Sequence, residues 1–166
     1  MIIATRHGQA ARFAEERVRV MGRTAGGVIG VRLTGDDYVV GAATLYRDAE
    51  WNDAHQLMTI TENGFGKRMD PRVFEPKGRA IMGVTCHNLT DKTGDLTGIA
   101  VVTDTDDVMM ITSSGTVIRT PVSGIPAYGR TAGGVIVMRL SEGDKICNFA
   151  LAAQKEDADE IPEGEE

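Results

Sequence analysis

The octapeptide GRTAGGVI stands at Gly22–Ile29 and again, unchanged, at Gly129–Ile136. A weaker version, GRAIMGVT, lies between them at Gly78–Thr85. The three copies are offset by 56 and then 51 residues. The same offsets align Thr5, Thr61 and Thr112; Gly8, Gly64 and Gly115; Arg12, Arg68 and Arg119; and Leu33, Leu89 and Leu140. The chain is therefore a threefold repeat of about 50 residues per unit, a period that signals stacked supersecondary units.

Each unit reads as four strands. Strand a is predicted at Met1–Thr5, Leu57–Thr61 and Met109–Thr112. It turns through Gly8, Gly64 or Gly115, of which Asn63-Gly64 is the strongest hairpin signal. Strand b is predicted at Gln9–Phe13, Phe65–Met69 and Thr116–Thr120, and strand c at Val28–Leu33, Val84–Leu89 and Val135–Leu140. After a charged turn comes strand d, at Tyr38–Ala43, Leu96–Val102 and Lys145–Leu151. Helical periodicity is weak throughout, and Glu50–Gln56 reads as a loop insertion.

Four strands per unit, repeated, predict an all-β, propeller-like array of four-stranded blades. A small sheet with two apolar faces must stack on a neighbour. Three units do not close a ring, since radial arrays use about four to eight blades, so the sequence predicts part of a larger array. The repeats are placed at about 1–45, 57–103 and 108–152 within a unit spanning 1–154.

Hydrophobic content is 42% but aromatics only 5%, so the core is aliphatic. The net charge of −6 is uneven. Glu156–Glu166 holds seven acidic residues and no basic one, and without it the balance is about +1. Residues 155–166 therefore read as a disordered acidic tail able to compete with polyanions. Cys86 and Cys147 share no column and form no CxxC, which predicts two buried, reduced thiols in a cytoplasmic protein. No apolar stretch reaches the roughly 18 residues a membrane span needs.

The chemistry-bearing columns are basic. Arg12, Arg68 and Arg119 recur in strand b, with Lys67 beside the second. Cations at regular angular intervals suit a duplex that follows a curved surface by phosphate contacts, without base readout. Arg23, Arg79 and Arg130 follow a glycine in every unit and are candidates for phosphate contact or for pairing with Asp37, Asp95 and Asp144 between blades. Arg32 and Arg139 share a column in which Asn88 interrupts the charge. GRTAGG lacks the Gly-Lys-Ser/Thr of a phosphate-binding loop, and no helix pattern follows it. Ser113 and Ser114 sit in a turn without a positioned histidine, and Met109-Met110 reads as core.

These columns, with ITENGFGKR at Ile60–Arg68, DVMMITSSGTVIRT at Asp107–Thr120 and the acidic tail, resemble the C-terminal domain of DNA gyrase A over essentially the whole chain. The resemblance implies a six-bladed β-pinwheel whose blades exchange strands, with this chain as its last three blades plus the tail. It also implies a non-catalytic role: wrapping duplex DNA independently of sequence, for strand passage and negative supercoiling. Partners would be duplex DNA, the rest of gyrase A, and gyrase B. No cofactor is expected for this region, while the holoenzyme would use ATP and Mg²⁺. The basic heptapeptide Gln-Arg-Arg-Gly-Gly-Lys-Gly of gyrase first blades is absent here. The corresponding domain of topoisomerase IV therefore stays open as an alternative, as does a propeller-like protein-interaction scaffold.

Overall fold

The structure, a computed structural model, describes residues 1–45 and 55–152. Both the proposed insertion around Trp51 and the acidic tail fall largely or wholly outside the described residues. The strands are β1 (Ile2–Thr5), β2 (Gln9–Arg12), β3 (Val39–Ala43), β4 (Gln56–Thr61), β5 (Phe65–Met69), β6 (Val84–Thr85), β7 (Leu96–Val102), β8 (Asp107–Thr112), β9 (Val117–Pro121), β10 (Val135–Ile136) and β11 (Ile146–Ala152). Three single-turn 3-10 helices, η1 (Glu15–Arg17), η2 (Pro71–Val73) and η3 (Val122–Gly124), are the only helices among the described residues. None is long or apolar enough to cross a membrane.

The chain forms three antiparallel sheets, ordered β3-β1-β2-β6, β10-β5-β4-β7 and β11-β8-β9. The paired hairpins β1–β2, β4–β5 and β8–β9 bend at Gly8, Gly64 and Gly115, with φ of +73°, +83° and +88°. Only glycine adopts such angles without strain.

Strand c behaves differently from the prediction. It is two residues long in the second and third units, and it completes the sheet of the unit before its own. Val84 and Thr85 pair with Ala10 and Gln9 of the first blade. Val135 and Ile136 pair with Gly66 and Phe65 of the second. The strand stops because the next amide leaves the ladder for the hairpin turn: Cys86 N donates to Gly8 O and Val137 N to Gly64 O, both at 2.8 Å. Backbones meet closely at this seam. A Cβ built on Gly83 would lie 2.6 Å from Ala10 O, and one on Gly134 would lie 2.5 Å from Gly66 O. In the first unit, the stretch predicted as Val28–Leu33 forms no strand beyond a parallel bridge from Val31 to Ile81.

The core lies between blades. Ile2, Ala4, Leu57, Phe74, Cys86 and Leu96 fill the first gap; Met58, Ile60, Val108, Met110, Ile125 and Ile146 fill the second. Alternate side chains of β4 point to opposite faces, so Leu57 serves one gap while Met58 and Ile60 serve the other. Each such side chain contributes about 1.5–3 kcal/mol on burial. The expectation for Met109-Met110 holds only for Met110, because Met109 is 37% exposed. Cys86 is buried as expected, but Cys147 is exposed on β11.

Candidate nucleic-acid interface

At the end of each blade away from the hairpin, strand b runs into a 3-10 turn and then a loop carrying the Gly-Arg pair, followed in the second and third units by the exchanged strand. Two kinds of cation occupy this end.

The first kind is committed to the joints between blades. Arg12 Nη1 donates to Phe74 O at 2.9 Å and Pro71 O at 3.2 Å in the next unit. Burial pulls its guanidinium pKa down. Arg68, one repeat on, donates through Nε to the Ile125 carbonyl and pairs with Asp104. Phe74 and Ile125 hold corresponding positions, so the same bolt is built twice. Lys67 is 0% exposed, and its ammonium donates to Gly129 O, Arg130 O and Ala132 O at 2.8, 2.7 and 2.8 Å. Burial, with Arg130 adding to it, lowers its pKa to about 8. His87 spans the same joint between Thr59 Oγ1 and Gly133 O, both at 3.0 Å, and burial drops its pKa to about 4. Burial likewise pushes the Cys86 thiol up to about 12.

Lys67 and Arg68 are buried, with loop carbonyls of the next unit accepting from both, so these two do not form the phosphate-binding column expected of them. Arg12 is half-buried, and only its Nη1 is committed to carbonyls of the next unit. The role of Lys67 had a signal in the sequence. Ala11 and Ile118 fill the same column in the other units, and a lysine in an apolar column is a candidate for burial. Arg119, the third of the column, is exposed and pairs through Nε with Asp107 Oδ2 at 2.6 Å.

The second kind lies in the loops themselves. Arg79 Nη1 donates to Ile29 O at 3.0 Å and Arg130 Nη1 to Thr85 O at 2.9 Å, again corresponding positions. Arg79 Nε also reaches Arg17 O at 2.6 Å. Each guanidinium has five N–H donors, so both keep donors to spare. Neither pairs with the aspartate column, contrary to the alternative drawn from sequence. Asp37 accepts from His7 N and Tyr38 N, Asp95 from Arg6, and Asp144 from Ser113 and Ser114. The two serines hold Asp144 well below the usual carboxylate range. Arg23 is exposed, as are Arg17, Arg19 and Lys77, and none of their side chains has an acidic partner among the described residues. Arg72 lies nearby but is held by Asp70 at 2.8 Å.

The hairpin ends contrast with this. Arg6 pairs with Asp95 of the next unit at 2.6 Å and with Asp36 at 3.1 Å, and Lys145 with Glu62 at 2.8 Å, while Lys92 lies over the Phe65 ring and Arg139 is exposed. Among the described residues no cluster of ligating side chains could hold a metal ion.

The model of the family described as DNA gyrase C-terminal domain, beta-propeller matches residues 1–45, 55–103 and 106–150. The DNA gyrase A protein of Aminobacterium colombiense is 41% identical over 160 residues, covering 96% of this chain and 19% of that protein. The DNA gyrase A protein of Salmonella typhimurium is 38% identical over 154 residues, covering 93% and 17%. The chain thus spans under a fifth of these curated relatives. A solved DNA gyrase A C-terminal domain superposes with a TM-score of 0.75 at 22% identity, over 90% of this chain and 49% of that one. A solved C-terminal domain of DNA topoisomerase IV gives 0.81 at 24% identity, over 90% and 45%. At those identities the likeness is one of fold.

Proposed function

The chain belongs to the DNA gyrase C-terminal domain family, and from that premise we propose that it binds duplex DNA through its Gly-Arg loops, without sequence preference, and bends it. The observation that carries this is the loop end of the first two units. There Arg17, Arg19, Arg23 and Lys77 are exposed together without acidic partners, while Arg6 and Lys145 at the hairpin ends are paired with carboxylates. Arg79 and Arg130 extend the same series.

The two kinds of cation divide the work. Arg12, Arg68 and Lys67 lock each blade to the next, which fixes the angle between successive loops. The exposed cations then meet phosphates at intervals set by that angle. Bending 20–30 base pairs costs about 1–6 kcal/mol, and phosphate contacts with counterion release offset it. In this reading the chain supplies binding and curvature rather than bond chemistry. Strand passage, ATP and Mg²⁺ use, and contact with gyrase B would belong to a larger assembly. Gyrase is favoured over topoisomerase IV because the two relatives named above, 41% and 38% identical, are gyrase A proteins.

The test is a salt titration of binding to random-sequence duplex, for the parent and for a variant with Arg17, Arg19 and Arg23 all changed to Glu. Losing three phosphate contacts should flatten the log–log salt slope by roughly 3. An unchanged slope would remove these loops from the interface.

A further inference from the structure

A cavity of about 240 Å³ lies at the joint between the first and second units, beside the loop that follows η2. Part of its lining is apolar, from Ala10 of β2 and Val84 of the exchanged strand paired with it. Its charged groups are Arg12, Glu75, Lys77 and Arg130. Arg12 belongs to the first unit, Lys77 to the second and Arg130 to the third. Three successive units thus bring one cation each to the same space, and a single carboxylate, Glu75, opposes them.

The two guanidinium groups are held with donors to spare. Arg12 commits Nη1 to Pro71 O and Phe74 O, and Arg130 commits Nη1 to Thr85 O. Among the described residues this leaves Nε and Nη2 of each to donate. A planar fork anchored at one nitrogen loses little freedom when the rest closes on an oxyanion. Lys77 is exposed without an acidic partner, and its backbone amide donates to Arg12 O at 2.8 Å, which ties it beside the first guanidinium. The buried ammonium of Lys67 adds to the positive field around Arg130. The second joint is built differently. There Arg68 is paired with Asp104, and Tyr128 and Pro126 stand where Lys77 and Glu75 do. The cationic cavity therefore belongs to one joint and not to the repeat.

We propose that this cavity holds a phosphate group, bound by Arg12, Lys77 and Arg130 together. A tetrahedral oxyanion with more than one negative charge matches two anchored forks and one ammonium set in a partly apolar recess. The space is smaller than the roughly 300–1,000 Å³ of pockets for drug-sized ligands, which limits the occupant to one or two phosphoryl groups. The source is either a free diphosphate or one backbone phosphate of a bound duplex. The second rests on the DNA-binding reading above, and the first does not. Either occupant ties three units at one point and so resists a change in the angle between them.

Two arms on the 166-residue chain separate the sources. Calorimetry with inorganic pyrophosphate, without DNA, should show one site per chain. Lys77→Gln and Arg130→Gln should each weaken it by at least about tenfold, the worth of a hydrogen bond to a charged group. Glu75→Gln should tighten it, and Lys92→Gln, at the hairpin end, should leave it unchanged. Lys77 and Glu75 are exposed, so their variants probe the cavity without unfolding the joint. The second arm is a salt titration with random-sequence duplex. If one backbone phosphate fills the cavity, the double variant Lys77→Gln with Arg130→Gln should flatten the log–log slope by about 1 in total, whereas two separate phosphates would flatten it by about 2. Pyrophosphate binding with this variant pattern assigns the cavity to a free diphosphate. A slope change of about 1 without pyrophosphate binding assigns it to the duplex backbone. No pyrophosphate binding together with a slope change of zero or about 2 would overturn the proposal, and so would pyrophosphate binding that Lys77→Gln and Arg130→Gln leave intact. The pyrophosphate arm contains no DNA, so its result is separate from that of the DNA-binding reading.

Discussion

The duplicated octapeptide allows one substitution to be read in two surroundings. Gly134 and Gly27 sit in identical local sequence with φ of +71° and +78°. Alanine at either costs about 1–2 kcal/mol for the left-handed backbone. At Gly27 that is the whole effect in the single-copy chain, because nothing lies within 4 Å. At Gly134 the new Cβ would stand 2.5 Å from Gly66 O and 2.9 Å from Gly66 C, which are backbone atoms that cannot rotate away. Overpacking adds roughly 1–3 kcal/mol. Gly134→Ala should therefore be less stable than Gly27→Ala by about 2 kcal/mol. With a urea m-value of about 2 kcal/mol per molar, the unfolding midpoints should differ by about 1 M. The measurement is far-UV circular dichroism in urea at low micromolar protein, joined to hydrogen exchange at the Val137 amide, which should quicken only in Gly134→Ala. Equal midpoints would refute the claim that the seam is a close backbone contact.

Three further outcomes follow from the joints. Arg68→Ala should destabilise the protein by about 1–3 kcal/mol, by removing the donor to Ile125 O and leaving the seam carbonyl unsatisfied; thermal unfolding measures it, and no measurable loss would return Arg68 to the surface. Lys67 has a folded pKa of about 8 against an ordinary 10.5, so the unfolded chain binds more protons there and Lys67 adds stability as pH rises across that window, while the Cys86 thiol, pushed up to about 12, takes stability away above about pH 9; in a Cys86→Ala background, melting curves at pH 8 and 10 should show the rise, and Lys67→Met should abolish it. Removing residues 155–166 should tighten DNA binding at low salt and have less effect at high salt, since the seven acidic residues act at high local concentration and are screened; equal affinities at low salt would make the tail a bystander.

The hairpins, turn glycines and blade count were legible because they are local: a positive φ selects glycine at residues 8, 64 and 115 wherever the rest of the chain goes. The destination of strand c was not. Val84-Thr85 has the same β-branched character whether it pairs with its own unit or the one before, and only packing between units decides. The arginine column was legible as a period but not as an environment. In an array, a residue repeated once per unit faces either solvent or the next unit, and sequence period is the same for both. Lys67 shows the limit clearly: three loop carbonyls gather around it from residues more than 60 positions away.

Exchange of strands also sets a clock on synthesis. The first sheet has β1, β2 and β3 in hand once residue 43 has left the ribosome, but its fourth strand ends at Thr85. At about 5–20 residues per second, the β2 edge stays open for roughly 2–8 seconds in each nascent chain. A polysome brings many such edges close together, each a template for a strand of a neighbouring nascent chain. Slow codons between residues 43 and 85 would lengthen that exposure, whereas the same codons after Thr85 would fall when the first blade is already sealed.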